Sequence, residues 1–156
     1  MIKNKILLSK FKISDITENY ISWLRDKSII KFTKIKNTKI EDIIQYVQEN
    51  IFNNNVIFLK ILFNNVHIGN IRIKKIKKNK ATVAIIIGNR RFHNKGIGKI
   101  VIAKAIQIVK KDKKIKTLVA YIHKLNYPST SIFRQNGFIK KYKKKTNEQW
   151  YLNIQI

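Results

Sequence analysis

Hydrophobic positions recur along this chain with two periods, that of strands and that of helices. Ile6 to Phe11 reads as a first strand. Ser14 stands where an N-cap belongs, with Asp15 and Glu18 in the turn after it, where carboxylates suit the positive end of a helix. Ile16, Tyr20, Trp23 and Leu24 give that helix its apolar stripe. A second helix is predicted from Thr38, with Glu41 completing a capping box and Ile40, Ile43, Ile44, Val47 and Ile51 at helical spacing. Two strands follow, Val56 to Phe63 and Val66 to Lys77, joined at Asn64-Asn65 because Asn tolerates positive φ. Lys78-Asn79-Lys80 turns the chain into a buried strand, Ala81 to Ile87. A polar loop, Gly88 to Gly98, leads into a helix with Ile97, Ile100, Val101, Ala105 and Ile108 on one face. Thr117 to Ile122 is another strand. Pro128 falls in the first turn of a short helix, where its missing N–H costs nothing, and Gly137 ends that helix with Phe138 as its hydrophobic contact. Two strands, about Ile139 to Lys144 and Gln149 to Ile156, complete the pattern.

The order β-α-α-β-β-β-α-β-α-β-β predicts an α+β (mixed α/β) fold: a mostly antiparallel sheet flanked by helices, with one βαβ unit in the second half. The chain has 156 residues, 44% of them hydrophobic, with no internal repeat and no linker, so one domain over 1–156 is expected.

Composition narrows the chemistry. The absence of Cys excludes disulfides and thiolate metal sites, and no metal is expected. The longest apolar run, Val83-Ala84-Ile85-Ile86-Ile87, is too short to span a bilayer, and the basic N-terminus lacks the apolar core of a signal peptide. A cytoplasmic protein that does not engage membranes is the expectation. The formal net charge of +26 admits two readings. One is a polyanionic partner: nucleic acid, an anionic membrane, or a phosphate-rich small molecule. The other is compositional drift, since Lys, Ile and Asn dominate throughout. Drift is favoured because the lysines are spread out, and the tightest runs, Lys74 to Lys78 and Lys110 to Lys114, fall at predicted turns.

The segment Asn89-Arg90-Arg91-Phe92-His93-Asn94-Lys95-Gly96-Ile97-Gly98-Lys99 lies between a buried strand and an amphipathic helix. Two glycines permit close backbone approach, and a helix N-terminus offers free N–H groups and partial positive charge. That combination suits a pyrophosphate, with Lys95 and Lys99 adding charge. The spacing is not that of a Walker loop, and the third Gly of a dinucleotide fingerprint is absent. Some thirty residues downstream, one strand later, comes Asn126-Tyr127-Pro128-Ser129-Thr130-Ser131-Ile132-Phe133-Arg134-Gln135-Asn136-Gly137-Phe138.

Together the two segments resemble the cofactor-binding motifs of GNAT N-acetyltransferases. The first matches Q/R-x-x-G-x-G/A, with His93 in the Q/R place; the second is anchored by Asn126, Ser129, Ile132, Phe133, Gly137 and Phe138. The element order agrees from end to end. Trp23-Leu24-Arg25-Asp26-Lys27 and Val66-His67-Ile68-Gly69-Asn70 resemble the branch that acetylates ribosomal-protein termini and nucleotide-linked amino sugars. The resemblance implies the GNAT fold, with its sheet splayed at the cofactor site, and acetyl-CoA as cosubstrate. It implies that the backbone of Ile86, Ile87 and Gly88 binds pantetheine, that Asn94, Lys95, Gly96, Ile97, Gly98 and Lys99 cradle the pyrophosphate with His93 contacting phosphate or capping the loop, and that Asn126 holds the pantetheine arm. Ser129 and Phe133 complete the cofactor motif.

GNAT chemistry is direct attack of an unprotonated amine on the thioester, with a donor for the carbonyl oxygen and a proton for the leaving thiolate. Relatives often supply a Glu and a Tyr, where this chain has Tyr121 and Phe133. Phe cannot donate a proton. Of the eight carboxylates only Asp26 and Glu148 look able to reach the acceptor. Tyr121, His123 and Glu148 are therefore the catalytic candidates, and His67 reads as a sheet residue. A missing base suits an α-amine better than a lysine side chain, whose reference pKa is about 10.4. The expected acceptor is a small amine, foremost a nucleotide-linked amino sugar, with protein N-termini as the alternative. A catalytically silent acyl-CoA binder and a nucleic-acid module are the rivals from other classes. The latter is disfavoured because the aromatics fall in core patterns. A monomer and a homodimer are both open.

Overall fold

The computed structural model describes residues 1–36 and 39–154, the side chain of Asn4 excepted. Seven strands form one sheet: β1 (Ile6–Lys10), β2 (Val56–Phe63), β3 (Val66–Lys77), β4 (Lys80–Ile87), β5 (Thr117–His123), β6 (Ile139–Lys143) and β7 (Asn147–Asn153). Their spatial order is β1-β2-β3-β4-β5-β7-β6. Every neighbouring pair is antiparallel except β4 and β5, which are parallel and joined by the crossover helix α4 (Ile97–Lys110). The other helices are α1 (Glu18–Arg25), α2 (Lys27–Ile30), α3 (Ile40–Ile51) and α5 (Tyr127–Gln135). This is the mixed, mostly antiparallel architecture that the hydrophobic pattern predicts.

Each face of the sheet carries its own apolar cluster. On one face α4 and α5 bury Val101, Ile102, Ala105 and Phe133 against Ile71, Ala81, Leu118, Ala120, Ile122 and Trp150. On the other, Tyr20 and Leu24 of α1 and Ile43 and Val47 of α3 meet Phe11 and Phe58. That second cluster extends across the sheet to Ile86 of β4. Each large apolar side chain so buried contributes about 1.5–3 kcal/mol, enough to hold helices whose isolated stability is marginal.

Local signals explain most element ends. Asn64 and Asn65 take φ of 47° and 65° in the β2–β3 hairpin. Gly137 takes φ of 85°, and Phe138 returns its amide to the Phe133 carbonyl, satisfying an end of α5. Ser14, however, does not cap a helix. It lies within a 3-10 turn, Ile13–Asp15, and the cap of α1 is Thr17, whose hydroxyl accepts from the Tyr20 amide at 3.3 Å. Two side chains of N-cap type stand three residues apart, and the one nearer the apolar stripe wins. The predicted cap at Thr38 and residues 155–156 of the predicted last strand lie outside the described residues. The run Lys74 to Lys78 is also not a turn: Lys74, Lys75 and Lys77 pair with β4, and Lys75 bridges Asp112 at 2.6 Å. Among the described residues no helix is long and apolar enough to cross a membrane.

Candidate active site

The parallel β4–β5 ladder is short. Lys80, Ala81 and Thr82 pair with Thr117, Leu118 and Val119, and there the pairing stops. β4 continues to Ile87 bound to β3, while β5 continues to His123 bound to β7. The two strands diverge, leaving a wedge between Val83–Ile87 and Ala120–His123. Two glycines hold one wall of it in place. A Cβ on Gly69 would lie 2.1 Å from the Ile86 carbonyl oxygen, so its absence lets β3 press close on β4. A Cβ on Gly88 would lie 2.1 Å from the Trp23 indole, so α1 lays that ring directly on the end of β4.

Below the wedge the chain makes the turn that opens α4. Asn89 caps a 3-10 turn, Arg90–Phe92, by accepting from the Arg91 amide at 3.1 Å. Asn94 and Gly96 adopt positive φ, 55° and 73°. Among the described residues, the amides of Lys95, Gly96, Ile97, Gly98 and Lys99 meet no acceptor. A cluster of free N–H groups at the start of a fourteen-residue helix is an anion site by its own electrostatics. The space above it is open: a Cβ on Gly96 would meet nothing within 4 Å. Gly98 serves another purpose, since its Cβ would lie 2.6 Å from Cδ1 of Ile132 on α5. The first glycine sets the backbone conformation and the second lets two helices touch. Lys95 and Lys99 are exposed beside the loop.

His93 joins loop to wedge. Its Nε2 lies 2.7 Å from the Ile87 carbonyl, and since a carbonyl only accepts, that nitrogen carries the proton. The ring thus ties the loop to the end of β4 and occupies one of the carbonyls expected to meet pantetheine. Asn126, at the end of the other arm, caps α5 with Oδ1, which accepts from the Ser129 amide at 3.3 Å. Its Nδ2 has no acceptor among the described residues. One side-chain amide can therefore hold the helix and still donate.

The catalytic candidates separate by face. Leu118, Ala120 and Ile122 of β5 join the α4/α5 cluster, so Tyr121 and His123 point to the opposite face. Tyr121 is 53% exposed, which excludes core packing as its role. His123 stacks on Phe32, ring centroids 4.8 Å apart, and its Nδ1 accepts from the Leu125 amide at 3.2 Å. That bond leaves the proton on Nε2, so His123 is arranged as a donor and not as a base.

Glu148 is not brought to this group. It pairs with Ile122, faces α5, is buried, and accepts from Trp150 Nε1 and Lys140 Nζ, both at 3.2 Å. A one-residue difference in register sets the face, and here it corrects the expectation that Glu148 reaches the acceptor. Phe133 is likewise a core residue, packed edge-on against Phe138 at 4.9 Å. Asp26 caps α2, accepting from the amide and hydroxyl of Ser28, and pairs with Arg90. The Ser28 hydroxyl first, and Arg90 with it, holds the Asp26 carboxyl down at about 2, too acidic for a base at neutral pH. His67 lies among Phe11, Tyr20 and Trp23, its Nε2 at 2.9 Å from the Gly69 carbonyl, and burial pushes its pKa down. Phe32, Arg90 and Ser28 escaped the sequence reading. The Asp26-x-Ser28 spacing is the signal that was there to find, since it is that of a capping turn. Among the described residues no cluster of His and carboxylates could hold a metal ion.

Comparison with known proteins bears on the family and the fold. The family model described as an acetyltransferase (GNAT) domain matches residues 5–139. Among solved structures, the chain is similar to the Campylobacter jejuni N-acetyltransferase PseH, with a TM-score of 0.71 at 19% identity over 96% of this chain and 98% of that one. It is similar to the PaiA N-acetyltransferase of Thermoplasma acidophilum in complex with coenzyme A, at 0.75, 23% identity, 95% and 98% coverage. RimL, a ribosomal α-N-protein acetyltransferase in complex with coenzyme A, aligns at 0.80 and 13% identity over 98% of this chain and 96% of its own. No curated protein sequence matches the chain. With that family model matching residues 5–139 of 156, the chain belongs to the GNAT acetyltransferase family, whose acetyl donor is acetyl-CoA.

Proposed function

We propose that the protein acetylates a primary amine of a small molecule, foremost a nucleotide-linked amino sugar, by direct attack on the acetyl-CoA thioester. The observation that carries the donor half is the row of unpartnered amides from Lys95 to Lys99 beneath the β4–β5 wedge. There the pyrophosphate accepts from the loop while Asn126 Nδ2 and the Ile87 N–H, on the edge of β4 turned away from β3, orient the pantetheine arm. The acceptor half rests on charge. The strands β4, β5, β6 and β7 carry one carboxylate, Glu148, and it faces α5, away from Tyr121 and His123, while Asp15 and Asp26 are paired with Lys60 and Arg90. A strand surface without a carboxylate beside Tyr121 suits an anionic acceptor.

The amine loses its proton to water or to the acceptor's own surroundings, because no carboxylate of suitable basicity stands by. His123 Nε2–H and the Tyr121 hydroxyl are the two proton donors on the acceptor side for the developing oxyanion or the leaving thiolate. A protein α-amine is the second reading, favoured by the same lack of a base, since an α-amine has a reference pKa of about 7.7–8.0.

Thiol release with acetyl-CoA tests both readings. A nucleotide-linked amino sugar should be turned over faster than a peptide amino terminus, and free lysine should be inert. Turnover confined to the peptide would replace the first reading by the second. No thiol release with any amine would leave an acyl-CoA binder.

A further inference from the structure

Among the described residues, no helix packs over the sheet face that bears Tyr121 beyond the wedge. The apolar cluster beneath α1 and α3 extends across the sheet to Ile86, and α4 and α5 lie on the other side. On the open part three tyrosines from three adjacent strands share one side. Tyr121 on β5 pairs with Gln149, and Val119 beside it pairs with Tyr151 on β7. Tyr142 on β6 also pairs with Gln149, and its ring centroid is 6.1 Å from that of Tyr151, at 68°. Tyr121 is 53% exposed and Tyr142 62%. The Tyr151 hydroxyl donates to Gln149 Oε1 at 3.0 Å, which fixes that ring. Lys80 places its Nζ 5.6 Å from the Tyr151 centroid.

Apolar rings in water without cover are a cost unless something stacks on them. The Tyr142 and Tyr151 rings meet edge to face on one side of the sheet and are bordered by a lysine, with no carboxylate on that side of β5, β6 or β7. A partner that matches is planar, aromatic and anionic. Two features choose among such partners. The shelf begins at Tyr121 and His123, beside the β4–β5 wedge, and runs two strands, about 10 Å, to the sheet edge. An occupant therefore has one end at the thioester and is short. A second copy of this chain would bring the same lysine and the same net +26 against it, and like charges across an interface are repulsive.

We propose that this face is the acceptor shelf: the base of a nucleoside diphosphate stacks among Tyr121, Tyr151 and Tyr142, its phosphates meet Lys80, and the attached amine points into the wedge. The inference rests on the reading of a nucleotide-linked acceptor and places that acceptor on named residues.

The test is calorimetric titration of the coenzyme-A-saturated full chain with uridine diphosphate, so that the donor site is closed to the probe. Tyr142→Leu is the first variant, at an exposed position where Leu keeps strand-compatible bulk; Tyr151→Leu and Lys80→Gln follow, each checked by thermal melt. Removing one stacking ring should weaken uridine diphosphate binding by roughly tenfold, with coenzyme A affinity unchanged and ribose 5-phosphate indifferent to the tyrosines. If Tyr151→Leu fails to fold, Tyr142→Leu decides. Unchanged affinity in Tyr142→Leu overturns the shelf. So does tyrosine-dependent binding of a uridine oligonucleotide with none of uridine diphosphate, or a dimer in sedimentation that dissociates in the tyrosine variants. Turnover of a nucleotide-linked amino sugar that persists unaltered in Tyr142→Leu removes the shelf and leaves the acceptor reading standing. Tyrosine-dependent uridine diphosphate binding without turnover does the reverse.

Discussion

His67 shows how a single side chain can report on its surroundings. Its Nε2 donates to the Gly69 carbonyl, and three aromatic rings, Phe11, Tyr20 and Trp23, enclose it. Burial disfavours the imidazolium, and although the Gly69 bond and Asp15 oppose that, the balance is a lowered pKa. The sign of the consequence follows from proton counting. Between the lowered folded value and about 6.5, the unfolded chain binds more protons than the folded one, so stability rises with pH through that window. Acidification below about 6.5 should therefore lower the melting temperature, and His67→Gln, which keeps an N–H for Gly69, should flatten that slope. Asp26, held at about 2, loses its contribution only in much stronger acid. A slope in His67→Gln equal to that of the parent would assign the acid sensitivity elsewhere.

At the scale of elements, the two glycines that open α4 look equivalent in sequence and are not. Gly96 adopts φ of 73° with open space around it, whereas Gly98 is crowded by Ile132 of α5. Gly96→Ala should cost about 1–2 kcal/mol of backbone strain and put a methyl group over the free amides. Coenzyme A affinity should then fall, whatever stands at position 132. Gly98→Ala should destabilise by pushing α5 off α4, and Ile132→Val, which removes the methyl 2.6 Å away, should restore much of the loss. A double-mutant cycle read by melting and by calorimetry separates the two, and identical behaviour in both cycles would refute the distinction. Much of this region was legible from the chain. Pro128, Gly137 and Asn64-Asn65 act through local geometry, so their turns could be placed from residue type alone. The β4–β5 divergence, the insertion of β7 between β5 and β6, and the face taken by Glu148 could not. Each depends on which strands pair and in what register, and alternation with period two says only that a strand has two faces. The exposure of Tyr121 and Tyr142 was hidden for the same reason: an aromatic residue in a strand pattern reads as core until the sheet's coverage is known.

For the whole molecule the question is what a net charge of +26 does to a chain of 156 residues. The basic residues outnumber the acidic ones 34 to 8, so ion pairs such as Lys60–Asp15, Lys75–Asp112, Arg90–Asp26 and Lys140–Glu148 can neutralise only a minority of them. Compact folding then works against self-repulsion. At low ionic strength, about 0.01 M, the Debye length is about 30 Å and spans the molecule; at about 0.15 M it is about 8 Å and separates most lysines from one another. Raising salt over this range should therefore raise the melting temperature by several degrees, because screening relieves many weak repulsions and sacrifices only a few partly exposed pairs of about 0–1 kcal/mol each. Acetyl-CoA binding should move the opposite way, since the same screening weakens attraction between a polyphosphate and the Lys95–Lys99 loop. The two responses distinguish origin from use. If the charge is drift that the fold tolerates, stability gains with salt while coenzyme A affinity falls only as far as Lys95→Gln and Lys99→Gln together would make it fall. If the wider field steers the donor, the association rate in that double variant should still drop steeply with salt. Stopped-flow binding at several ionic strengths, set beside melting curves in the same buffers, reads both; a melting temperature that falls with added salt would show that attraction, not repulsion, dominates this surface.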